Sequence, residues 1–82
     1  MEHRYKPAVL EQLAAHGVQP TARTRPELVH EFVNDLYRYE LRRLRDRLVR
    51  REIAKSDYYD LVVDVRRRYP ALALKPRQWL EP

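Results

Sequence analysis

From Leu28 to Ala54 the chain contains neither glycine nor proline, and its apolar residues recur mostly three and four apart. Leu28, Val29, Phe32, Val33, Leu36, Tyr37, Leu41, Leu44, Leu48 and Val49 make up the pattern, which has the period of one helical face. Just upstream, Thr24, Arg25, Pro26 and Glu27 have capping-box spacing: the threonine oxygen can accept from a first-turn amide while Glu27 bonds back. A helix over residues 25–54 is therefore expected. Its glycine- and proline-free part alone, about 27 residues, would run roughly 40 Å, which is long for a chain of 82 residues. Its stripe is broad from Leu28 to Tyr37, then narrows to Leu41, Leu44 and Leu48, the spacing of a coiled-coil seam.

Two shorter helices flank it. Residues 7–16 carry the apolar set Val9, Leu10, Leu13 and Ala14, with Pro7 suited to a first turn and Gly17 to a left-handed close. Residues 57–69 place Tyr58, Leu61, Val62, Val65 and Tyr69 on one face, with Ser56 or Asp57 as cap and Pro70 as terminator. What remains, residues 70–82, reads as an extended tail crossing the bundle, anchored by Trp79 and Leu80 on a single helical turn after Pro76; the alternative is a free tail that serves as a docking peptide. The predicted architecture is one all-α domain over residues 1–82. It has three helices, a long central one, an antiparallel hairpin of the second and third, and the tail. The third helix is about half the length of the second, so part of the second needs cover from the first helix, the tail or another subunit.

With no cysteine, disulfides, thiolate metal sites and cysteine nucleophiles are excluded. The one glycine, Gly17, leaves no phosphate-cradling loop. His3, His16 and His30 lack metal-ligand spacing and read as surface or capping residues. No cofactor or metal is expected. No run nears the roughly 18 apolar residues of a membrane span, and no apolar leader follows Met1, so a soluble cytoplasmic protein is expected.

The charge is +5, from 17 basic and 12 acidic residues. Seven arginines lie between Arg38 and Glu52 against Glu40, Asp46 and Glu52. Spread around the wheel, they are expected to form a solvated face with internal pairs, such as Asp46 with Arg42 and Arg50. Glu40, flanked by Leu36 and Leu44, can reach Arg43 or Arg47 in a structural ion pair. Six tyrosines accompany the arginines, a pairing common in interface hot spots. Tyr37, Tyr58 and Tyr69 are expected at the edge of the core, Tyr39 and Tyr59 on the surface.

The leading expectation is a non-enzymatic protein-interaction module, acting on a protein partner or by self-association as a dimer. Tyr39, Arg43, Arg47 and Tyr59 are its candidate interface residues. The alternative is a nucleic-acid-binding accessory protein that sets Arg42, Arg43, Arg50, Arg66 and Arg67 on phosphates. An enzyme is the weakest class, since no second polar group can be placed opposite Glu40.

Overall fold

The computed structural model describes residues 2–82. It contains α1 (Pro7–Ala14), α2 (Pro26–Val49) and α3 (Lys55–Arg67), then 3-10 turns at Pro70–Ala73 and Pro76–Trp79. The fold is all-α, as expected. Among the described residues the β-type pairing is a single antiparallel bridge between Tyr5 and Leu80.

Five boundaries differ from the sequence reading: α1 and α3 each close two residues early, at Ala14 and Arg67, and the other three move for local reasons. Thr24 does not cap α2; its hydroxyl accepts from the Thr21 amide at 2.9 Å within the connector. Arg25 takes the cap position without a side-chain bond, and Pro26 opens the helix, where a missing N–H costs nothing. Likewise Ala54 caps α3, which leaves Ser56 and Asp57 inside its first turn. At the other end α2 stops at Val49, five residues early. The Arg51 amide donates to the Leu48 carbonyl at 3.0 Å and the Glu52 amide to that of Arg47 at 2.9 Å. This is a Schellman close, but it holds Arg51 at φ 63°, where a Cβ is strained. The close of α1 has the same form, and there Gly17 takes the left-handed position at φ 75°. The amides of Gly17 and Val18 bond to Ala14 and Leu13, both at 2.9 Å.

The tail packs on the body, with the expected turn after Pro76 and a second one at Pro70–Ala73 that the sequence reading did not include. Its two 3-10 turns form a packed layer: the first lies against both α1 and α2, the second against α2. Cover for the first half of α2 thus comes from the tail. Trp79 is fully buried, and its indole N–H donates to the Ala71 carbonyl at 2.9 Å. His30 tilts against the indole, with ring centroids 5.0 Å apart, and bonds through Nε2 to the Leu74 carbonyl at 3.0 Å. The chain start closes over the same point. The Lys6 amide donates to the Trp79 carbonyl and the Glu81 amide to the Arg4 carbonyl, both at 2.8 Å. Between them Tyr5 is buried, and its hydroxyl donates to the Thr24 carbonyl at 2.6 Å. Burial, with a smaller contribution from the nearby Glu27 carboxylate, raises the pKa of that hydroxyl.

The second half of α2 packs on α3. Tyr69 meets Tyr37 edge-on and Arg68 pairs with Glu40, while Leu44 and Val65 share the core. Rising numbers on α2 meet falling ones just past and within α3, so the two helices run antiparallel. The hairpin projects from the body, giving extents of 49 × 18 × 16 Å and a radius of gyration of 15.1 Å. A compact chain of this length would have about 12 Å.

Two measurements check this account of stability. Trp79→Ala should cost about 3–5 kcal/mol in urea unfolding and leave the body molten at ambient temperature. Arg51→Gly should raise stability by about 1 kcal/mol by relieving the left-handed position; an unchanged midpoint would show that the site carries no strain.

Candidate docking face on the central helix

Which side of α2 faces the core is set by Pro26, Val29, Val33 and Leu44, all buried. At about 100° per residue, Leu28, Phe32 and Tyr39 lie roughly 120° around the helix from the middle of that face. They are 58%, 54% and 56% exposed. The sequence reading put Leu28, Phe32 and Val49 on one buried stripe; the structure turns all three to solvent. Two apolar rows therefore run along α2, and the tail and α3 cover one of them. The flanking exposed acids Glu31 and Asp35 were the available signal that Leu28 and Phe32 do not face inward. A similar split affects α1, where Val9 and Leu13 are buried while Leu10 and Ala14 are exposed.

Of the candidate interface residues, Tyr39 lies in the outer row with the Arg43 guanidinium 5.9 Å from its ring centroid. Exposed cation–π contacts of this kind are worth about 0.5–1 kcal/mol. Arg43 and Arg47 line a shallow cavity of about 170 Å³ together with Glu40, Leu44, Val65 and Arg68. Tyr59 is apart from these, exposed near the start of α3. The arginines proposed for phosphate do not converge. Arg43 faces that cavity, whereas Arg66 lines another with Asn34, Tyr37, Tyr69 and Leu72. By position on the α2 wheel these are opposite flanks of the hairpin. Arg42 and Arg50 are exposed on α2 and at its C-terminal cap, and Arg67 is exposed on α3.

Glu40 finds its partners across the hairpin instead of along its own helix. Its Oε1 is 3.4 Å from Arg68 Nη2, and its Oε2 accepts from the Tyr69 hydroxyl. Arg68 was not among the candidates; its position three residues beyond Val65 brings it over α2. Tyr69 is buried, its ring stacked on His16 at 4.1 Å, and His16 bonds through Nε2 to the Arg68 carbonyl. The histidines thus tie helices to the chain around the tail. Burial first, then the bond to Glu40 and its charge, push the Tyr69 pKa up to about 12, with Arg68 opposing. Asp46 forms no ion pair with Arg42 or Arg50 among the described residues. Nor do the described residues hold a group of three metal-ligating side chains, or a helix long and apolar enough to cross a membrane.

No protein family, curated protein or solved structure matches the chain.

The hydroxyl of Tyr69 supplies a pH test of the hairpin joint. Because its folded pKa lies above the ordinary 10.0, its contribution is complete below pH 10 and is lost as pH rises toward 12. Tyr69→Phe should cost about 1–2 kcal/mol at pH 7 and flatten the alkaline fall in urea midpoint relative to the native chain. Parallel alkaline profiles for the two proteins would remove the Tyr69–Glu40 bond as the cause.

Proposed function

We propose that this chain is a non-enzymatic protein-interaction module that docks a protein on the outer face of α2. The observation that carries the reading is the row Leu28, Phe32 and Tyr39, each more than half exposed on the side turned away from the core. Single exposed apolar residues are ordinary on any surface. Three aligned over about 16 Å of one helix, interrupted by Asp35, are more than scattered surface residues, and apolar patches rimmed by polar groups mark contact sites. They contribute little to their own chain's packing. Tyr39 with Arg43 adds the large rigid area and polar handle typical of binding hot spots. Self-association or a different protein partner would both use this face.

Nucleic acid is the weaker reading, because Arg42, Arg43, Arg50, Arg66 and Arg67 occupy more than one side of the hairpin. Phosphate binding gains from cations gathered on one surface. Catalysis has still less support: Glu40 is held by Arg68 and Tyr69 in an arrangement that a structural ion pair accounts for fully.

A photo-crosslinking residue placed at Phe32 tests the reading, with exposed Arg77 as control. Adducts of protein mass at position 32, absent at 77, are the expected result in cells producing the chain. A nuclease-sensitive adduct, or none at position 32, overturns it. Phe32→Glu should abolish the adduct formed by a crosslinker at Tyr39 while shifting the unfolding free energy by under about 0.5 kcal/mol.

A further inference from the structure

The outer face of α2 carries a second regularity beyond its exposure. Leu28, Phe32, Asp35, Tyr39, Arg42, Asp46 and Val49 follow one another at alternating intervals of four and three, and every one of them is exposed. That is the seam spacing of paired helices, on the side of α2 that neither the tail nor α3 covers. Its charges are segregated. Glu27, Glu31 and Asp35 belong to the first half, while Arg42, Arg43, Arg45 and Arg50 belong to the second and its cap; Asp46 and the N-cap Arg25, which lies 3.9 Å from Glu27, are the exceptions.

We infer that a second copy of this chain packs antiparallel along this face, about a two-fold axis beside Tyr39. The inference rests on the outer face being a docking surface and names its occupant. Antiparallel pairing sets Leu28 opposite Val49, Asp35 opposite Arg42 and Tyr39 near its own mate. Glu31 then lies beside Arg45 of the second copy. Phe32 falls opposite Asp46, where the flanking guanidinium groups of Arg42 and Arg45 can lie over its ring. A two-fold axis makes each contact twice and closes the assembly at two subunits. Parallel pairing would set Asp35 against Asp35 and Arg42 against Arg42, so the charge pattern selects the antiparallel form. Asp35 and Arg42 have no ion-pair partner within their own chain among the described residues, which leaves both free for this pairing.

Absence of cysteine makes the test clean, since any introduced thiol is unique. Sedimentation across concentration should show twice the chain mass, falling to one on dilution. Arg38→Cys, next to the axis with Tyr39 retained, should give dimers with a short bismaleimide, whereas Arg77→Cys on the tail should not. Asp35→Arg should weaken association by at least about tenfold, and adding Arg42→Asp in the same chain should restore it. Circular dichroism of each variant separates lost pairing from lost folding. Chain mass at every concentration, or a double variant as weak as the single one, overturns the self-pairing. In the first case, a protein adduct at Phe32 of some other mass keeps the docking face, while no adduct removes both.

Discussion

Burial of the Trp79 indole is the contact on which the rest of the molecule depends. A chain of 82 residues has a small core, and Trp79, at 0% exposure, sits at its centre. Around it lie the first half of α2, the start of the chain and both 3-10 turns. The indole N–H is satisfied by Ala71, so the largest side chain of the protein is buried without an orphaned donor. That bond also ties together the two turns of the tail. The first turn lies against both α1 and α2, so α1 is held largely through the tail. An eight-residue helix is marginal by itself; here its order depends on a tryptophan near the opposite end of the chain.

From this follows the division of α2 into two differently supported halves. The first belongs to the body around Trp79, the second to the hairpin with α3. The joint between them is the set Glu40, Arg68, Tyr69 and His16. Tyr69 stacks on His16 from the α1 side and donates to Glu40 on α2, so one ring touches three parts of the chain. Its raised pKa reflects that position, since ionisation would place a second negative charge beside Glu40 in a partly desolvated site. The ion pair of Glu40 with Arg68 is half open to solvent and adds little by itself. Its geometry matters more, because it sets where the end of the hairpin meets the body.

Much of this architecture is legible in the sequence, and the failures are specific. The long run without glycine or proline reports α2 and Gly17 reports the close of α1, whereas α3 closes at Arg67, short of the expected stop at Pro70, which instead opens a 3-10 turn. The end of α2 is not legible, because a Schellman close built on Arg51 lacks the glycine that usually signals one. Thr24 misleads in a similar way: its hydroxyl has a nearer partner in Thr21 than in the helix. The partner of Glu40 is also hidden, since Arg43 and Arg47 are close in sequence while Arg68 arrives only when the hairpin closes. The outer row is hidden for a different reason. Leu28 and Val29, or Phe32 and Val33, are sequence neighbours about 100° apart on the helix. Periodicity alone counts both as one broad stripe, and only the placement of the tail decides which of each pair is inside.

Had α2 been a simple two-sided helix, its outward positions would carry only charges, as Arg38 and Arg45 do. Leucine, phenylalanine and tyrosine occupy them instead, at seam spacing, among acids in one half and arginines in the other. Local folding of α2 does not require this order, since polar helix formers would serve as well at exposed sites. Solubility does not require it either, because scattered charges achieve that without apolar residues between them. A matching surface with the opposite order of charge does require it, and the same helix turned end to end is one such surface.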